Sequence, residues 1–298
     1  MQSAKEAILL EQVPAKRRFK PGKIVIYFFL SIWALSTIYP FVWVILNSFK
    51  RKGLIRSDSF SIPFGDRFTL ENYTTAFDRV DILGAYKNSL IISSVVTVAV
   101  IVLAGLAAYG LTRYRFRGRE FLHGLVIASM MFPVFSTIIP VFRMMFRWHI
   151  VNTQNVGLSQ LSVILPQIAG NLSFAIVVLM GFIRGLSIDL EEAAYLEGYN
   201  VFQIFFQVIL PIAKPSFATV AIFTFLWSYN DLFTQMFFLR YKDSFTITRL
   251  LNEITSIAGV NYGLMAAAVV LVVIPVLIVY VLLQKNIIKG LTVGAVKG

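Results

Sequence analysis

Apolar and polar positions fall into long blocks along this chain. Six apolar runs stand out: Ile24 to Leu46, Ser89 to Leu111, Phe121 to Phe142, Leu158 to Ile183, Ser216 to Gln235 and Gly263 to Leu283. Asp231 is the only charged residue inside any of them. Each run reaches the roughly 20 residues that cross a bilayer core as a helix. Backbone in hydrocarbon must satisfy its own hydrogen bonds, so the runs predict helices. The period-two alternation of barrel strands is absent, and each run is about twice the ~10 residues a tilted strand needs. The pattern predicts an all-α polytopic membrane protein with six transmembrane helices. Residues 1–23 form a polar N-terminal segment, 24–283 the six-span domain, 184–215 a long polar excursion within it, and 284–298 a tail. The first run is longer than a signal-peptide core and reads as a retained span.

Composition agrees: 57% of residues are hydrophobic, 14% are charged, and mean hydropathy is +0.75. A soluble domain of this size needs more polar surface. Lys and Arg cluster before the first run (Lys5, Lys16, Arg17, Arg18, Lys20, Lys23) and between the second and third (Arg113, Arg115, Arg117, Arg119). The positive-inside rule places both segments in the cytoplasm, and an even number of spans puts both termini there. The net charge of +12 is mainly this bias, reinforced by anionic inner-leaflet lipid. Nucleic-acid binding is a poor reading, because the cations are scattered over several loops.

Catalytic chemistry is missing. Without cysteine there is no disulfide, thiolate or Cys-based metal site. His123 and His149, the only histidines, have no second ligand or nucleophile at a plausible spacing. No phosphate-cradling G-x-x-x-x-G-K-[ST] loop occurs, so nucleotide-driven work would need another polypeptide to hydrolyse the nucleotide. No metal site and no catalytic residue is expected.

The excursion between Arg184 and Pro215 carries strong local signals. Asp189 is placed as an N-cap with Glu192 three positions on, predicting a capping box and a helix from about Leu190 to Glu197. Glu191 and Glu192 suit the positive end of its dipole. Ala193 and Ala194 keep one face small, and Gly198 can end the helix in a left-handed conformation. Asn200 and Gln203 repeat the cap spacing for a second helix, whose Phe202, Phe205 and Phe206 are expected at the membrane interface. Pro211 and Pro215 punctuate entry into the fifth span.

Glu192-Ala193-Ala194, Gly198 and Leu210-Pro211 resemble the E-A-A-x-x-x-G-x(9)-I-x-L-P loop of ABC importer membrane subunits. Val208 stands where that pattern has Ile, Glu197 where Asp is common and Tyr199 where Ala is common. The resemblance extends through Phe41 to Lys50, Phe68 to Phe77, Asn88-Ser89-Leu90, Ala108 to Leu111, Arg113 to Gly118 and Gly290 to Gly298. Together these are similar to the permeases of maltose-type carbohydrate importers, of the type I fold. What the resemblance implies is a cytoplasmic coupling helix that docks into an ATPase cleft. Glu191, Glu192, Ala193, Ala194, Gly198, Leu210 and Pro211 would then be the coupling residues, with Glu192 meeting a basic ATPase residue. It further implies a heterodimer with a second permease, two ATPase subunits that carry ATP and Mg, an extracytoplasmic solute-binding protein, and a place in the bacterial inner membrane. No cofactor is expected on this chain. A solvated, capped helix with no partner is the plainer reading of the same loop.

Two polar stripes lie within the spans. Gln160, Gln167 and Asn171 share one helical face, as do Thr224, Ser228, Asp231 and Gln235. They read equally as a hydrated sugar path or as interhelical hydrogen bonding. The pair Asn230-Asp231 also resembles an Asn-acid element in the fifth span of the family. In this topology the outer loops hold twelve basic and seven acidic residues, a net +5, which keeps an anionic, uronate-type oligosaccharide open beside a neutral one. The competing class is an ion- or proton-coupled secondary carrier acting without an ATPase. It would need paired ionisable groups near the midplane or internal repeats, and neither is visible.

Overall fold

The computed structural model describes residues 21–259 and 261–295. The expected segments over residues 1–20 and 296–298 lie outside the described residues, as do the side chains of most of the tail. Thirteen helical elements follow in chain order: α1 Pro21–Ser48, α2 Leu54–Ser57, α3 Glu71–Arg79, α4 Ile82–Arg113, α5 Arg119–Ser129, α6 Val134–Arg147, α7 Val156–Arg184, α8 Asp189–Leu196, α9 Val201–Ile212, α10 Lys214–Asn230, α11 Leu232–Phe238, α12 Ile247–Ala258 and α13 Tyr262–Ala295. Among the described residues no strand forms; Lys50 and Phe68 make one isolated antiparallel bridge.

α4 is the axis of the packing. Ile92, Val96, Val100, Ala104 and Ala108, spaced four apart, are fully buried where it packs against α7 and α10. That spacing puts one side chain per turn on the same face. Small residues on its C-terminal half, Ala104, Gly105 and Ala108, allow close approach, the usual basis of helix association in lipid. A Cβ on Gly105 would lie 2.8 Å from the Phe217 ring and 3.1 Å from that of Phe205. α13 packs on α1, α3, α10 and α12, whereas α1 keeps its apolar side chains exposed along most of its length.

The expected six spans are not six continuous helices. α1, α4, α7 and α13 are long and apolar enough to cross a membrane, and the bent pair α9 and α10 makes up to five. The third expected span, Phe121 to Phe142, is divided into α5 and α6. Pro133 has no N–H to continue the ladder and restricts Phe132 before it, so residues 130–132 close with short turn bonds to Ile127, Ala128 and Ser129. The fifth, Ser216 to Gln235, breaks at Asp231, whose carboxylate accepts the Thr234 N–H at 3.0 Å and caps α11.

The segment after α1 is tied back firmly. The Asn72 amide donates to the Ser48 and Lys50 carbonyls, both at 2.8 Å, and Phe49 stacks on Phe68. Lys50 is buried with its ammonium on the Asp58 carbonyl, and burial holds its pKa below the usual lysine range.

Candidate functional site

Both broken spans border the same space. A cavity of about 690 Å³ lies between α5, α6, α7, α10 and α11, lined on one side by Ser129, Met130, Phe132, Pro133 and Phe135. Gln167, Asn171, Trp227, Ser228, Asp231 and Thr234 line the other. Non-helical backbone at membrane depth is tolerated where it is buried in protein or borders a water-filled cavity, and both breaks sit in such a place.

The two predicted stripes meet here in part. The Ser228 hydroxyl donates to Gln167 Oε1 at 2.6 Å, while the Gln167 amide donates to Asp231 Oδ2 at 3.0 Å. Asn171 lines the cavity and donates to the Gln167 carbonyl. Gln160, Thr224, Asn230 and Gln235 are placed elsewhere. Gln160 donates to Asn88 Oδ1, Thr224 is fully buried, and Asn230 is exposed and bonds the Leu226 carbonyl. Gln235 donates to the Ser228 carbonyl and accepts from the Thr246 hydroxyl. Pathway and interhelical bonding therefore divide the stripes between them. Among the lining residues Asp231 is the one charged group, and no Lys or Arg is present. Trp227 offers an aromatic face, braced by the Phe174 ring 4.8 Å away. Ser129, which bonds the Ser173 hydroxyl, and Pro133 were not foreseen as lining; a proline inside an apolar run was the available signal.

At the other candidate site, α8 runs outside the bundle between the ends of α7 and α9. Asp189 is its first residue and not its cap. Its N–H is taken by the Ser187 hydroxyl at 3.3 Å, so Ile188 occupies the cap position and Glu192 closes no capping box. Gly198 adopts φ +84°, the left-handed conformation that glycine takes without Cβ strain. Asn200 and Gln203 do form the reciprocal cap that starts α9. A π-helical stretch over Ile204–Ile209 follows, accommodating Pro211, which cannot donate to the preceding turn. The chain then bends 82° into α10.

Glu192, Ala193, Tyr195 and Leu196 face outward, Leu196 at 90% exposure. Glu191 and Ala194 face inward. Glu191 lies 2.5 Å from Arg113 Nε and accepts the Tyr109 hydroxyl at 3.0 Å. The hydroxyls of Tyr114 and Tyr195 are 2.9 Å apart, a hydrogen bond that pushes the Tyr195 pKa up to about 12. Phe205, expected at the membrane interface, is buried between Tyr109 and Phe217 because the 82° bend turns α9 under α4; Phe202 and Phe206 remain exposed.

Residues 100–293 match the family model described as the binding-protein-dependent transport system inner membrane component. Among curated proteins, the chain is similar to the diacetylchitobiose uptake system permease protein NgcG of Streptomyces coelicolor. The two are 34% identical over 267 residues, covering 89% of this chain and 86% of that one. It is 31% identical to the galactooligosaccharides transport system permease protein GanQ of Bacillus subtilis, covering 91% and 94% of the two chains. Among solved structures, a chain of a bacterial ABC transporter involved in the import of the acidic polysaccharide alginate has a TM-score of 0.75. It is 22% identical, with 92% of this chain and 99% of that chain covered.

Proposed function

Given that this chain belongs to the binding-protein-dependent transport system inner membrane component family, and so is a multi-pass carbohydrate ABC transporter permease and not an enzyme, we propose that it is one of two permeases passing a neutral oligosaccharide delivered by a solute-binding protein. The second permease makes a heterodimer with it, and two ATPase subunits hold ATP and Mg. Residues 184–215 and both termini then lie in the cytoplasm. The segment from Asn47 to Asn88 faces outward, where a binding protein meets it.

The observation that carries this reading is α8. It is a short acidic helix outside the bundle, presenting Glu192, Ala193 and Leu196 away from the protein while its other face is held by α4. Leu190, Tyr195 and Leu196, with Ile188 just before them, all stand exposed on this one short helix beside the outward Glu192, a cluster of apolar side chains that a partner surface would cover. The Leu210-Pro211 link and the bend into α10 give movement of this helix a route to the cavity wall.

The neutral sugar class follows from the cavity. Its lining has one carboxylate, an amide pair, five Ser or Thr residues and an indole face, and no cation. Amides and hydroxyls pair with sugar hydroxyls, and Trp227 suits a pyranose face. A uronate chain would bring like charge to Asp231, at an unfavourable Coulomb energy. The named substrates of the relatives NgcG and GanQ, diacetylchitobiose and galactooligosaccharides, point the same way.

Co-purification with a candidate ATPase and second permease from the same organism tests the assembly. Wild type should assemble and show binding-protein-stimulated ATP hydrolysis in proteoliposomes. A Glu192→Ala, Gly198→Trp variant should remain folded and lose the stimulation. Failure of the wild type to bind any ATPase overturns the reading. Uptake of diacetylchitobiose against an alginate pentasaccharide tests the sugar class, and equal or greater uptake of the anion overturns it.

A further inference from the structure

Glu191 and Glu192 are adjacent in sequence yet do different things. Glu192 points outward, whereas the Glu191 side chain is only 6% exposed and its partner Arg113 only 11%. Arg113 ends α4, the helix at the centre of the packing. Besides facing Glu191 it donates from Nη2 to the Leu186 carbonyl at 2.9 Å, gripping the chain just before α8. Tyr109, one turn earlier, takes the second carboxylate oxygen, and Tyr114, one residue later, bonds Tyr195 near the end of α8. Three successive points along the α8 segment, at Leu186, Glu191 and Tyr195, are thus held by the last turn of α4 and the residue that follows it. The Tyr109 ring also packs on Phe205 of α9, with centroids 5.5 Å apart. Both halves of the excursion therefore converge on one helix end, although neither is next to α4 in sequence.

We infer that the Glu191–Arg113 pair is the clamp through which displacement of α8 is delivered to α4, making Glu191 and Arg113 positioning residues for transport that are distinct from the outward docking face. This rests on the permease reading above. A buried ion pair is a weak source of net stability, since desolvation of both charges offsets most of their attraction. It is a strong source of fixed geometry, because sliding either helix leaves an uncompensated buried charge. Covalent continuity alone would pass motion of α8 to α7 and α9 through the loop at 185–188 and the Gly198 turn. The clamp instead makes α8 and α4 move as one body, and α4 packs against α7 and α10, two of the helices that border the cavity.

The test uses the full complex in proteoliposomes, with whichever of diacetylchitobiose and the alginate pentasaccharide the wild type takes up better. Five proteins are compared: wild type, Glu191→Gln, Arg113→Met, Arg113→Lys, and the Glu191→Gln, Arg113→Met double variant, which leaves no lone buried charge and so guards against misfolding. ATPase association and thermal stability report on folding and docking. The ratio of sugar moved to ATP hydrolysed reports on the clamp. The folded, assembled double variant should hydrolyse ATP under stimulation while this ratio falls at least about fivefold, the lower end of typical coupling factors. Arg113→Lys, which keeps the charge, should recover part of it. An unchanged ratio in the assembled double variant overturns the inference and leaves the permease reading standing. Loss of ATPase association in the double variant also overturns it, by showing the pair to belong to docking. Failure of the wild type to associate overturns the permease reading itself.

Discussion

Gly198 and Gly105 illustrate two different demands on a residue without a side chain. At Gly198 the backbone is left-handed and the space beyond is open, so Gly198→Ala should cost only the conformational strain, about 1 kcal/mol. At Gly105 the backbone is ordinary helix and the space is filled by Phe217 and Phe205. Gly105→Ala must displace the Phe217 and Phe205 rings or α4 itself, and the expected loss is about 1–3 kcal/mol by thermal unfolding in detergent, as for an overpacked core. A larger loss at 198 than at 105 would contradict this assignment. Asp231 combines a cap with the cavity's one charge. Asn caps about as well as Asp, so Asp231→Asn should keep the fold and raise alginate pentasaccharide uptake relative to diacetylchitobiose. Asp231→Ala should lose about 1 kcal/mol of stability with the cap.

Among the helices, Pro275 in α13 leaves the Leu271 carbonyl without its helical donor, and the Tyr86 hydroxyl of α4 supplies the missing bond. Tyr86→Phe should therefore cost about 1 kcal/mol, near the upper range for interhelical bonds in membranes. Pro275→Ala should remove most of that penalty in the Tyr86→Phe background, because it restores an N–H to Leu271. The two substitutions should thus be non-additive in a double-mutant cycle, and simple additivity would show that the carbonyl is satisfied some other way. A second tie joins more distant elements. Asn88 donates to the Asp243 and Phe245 carbonyls and accepts from Gln160, while Ser89 accepts the Ile247 N–H. Asn88→Ala should loosen the segment between α11 and α12, read as faster amide exchange at Phe245 and Ile247 with little change near α8.

At the scale of the molecule, α4 joins the two candidate sites. Its start is tied to α13 and the 243–247 segment, its middle packs on α7 and α10, and its end holds α8. The fold thereby offers a stiff link between an outward-facing acidic helix and a cavity bounded by two interrupted helices. The exposed apolar surface of α1 belongs in lipid or against another subunit. If the proposed heterodimer forms, co-expression with its second permease should raise the apparent Tm of this chain by several degrees through mass action, and an unchanged Tm would count against the heterodimer.

The sequence by itself determined the class of protein and the position of its landmarks. A run of some twenty apolar residues needs no tertiary information to be recognised as membrane helix, because the bilayer is the other partner. The same local legibility covers the turn at Gly198, the cap at Asn200 and the polar excursion between Arg184 and Pro215, since caps and turns are settled within a few residues. Local signals also misled: Asp189 looked like a cap until Ser187 took its N–H, and the apolar continuity of Phe121 to Phe142 concealed a break at Pro133. What only the tertiary structure decided depends on contacts between residues far apart in the chain. Which half of each polar stripe faces the cavity was settled by Gln167 meeting Ser228 and Asp231 across 61 and 64 residues. Which of two adjacent glutamates is buried was settled by Tyr109 and Arg113 on another helix, the Tyr109 bond alone spanning 82 residues. Helical periodicity says which residues share a face, but only packing says what that face meets.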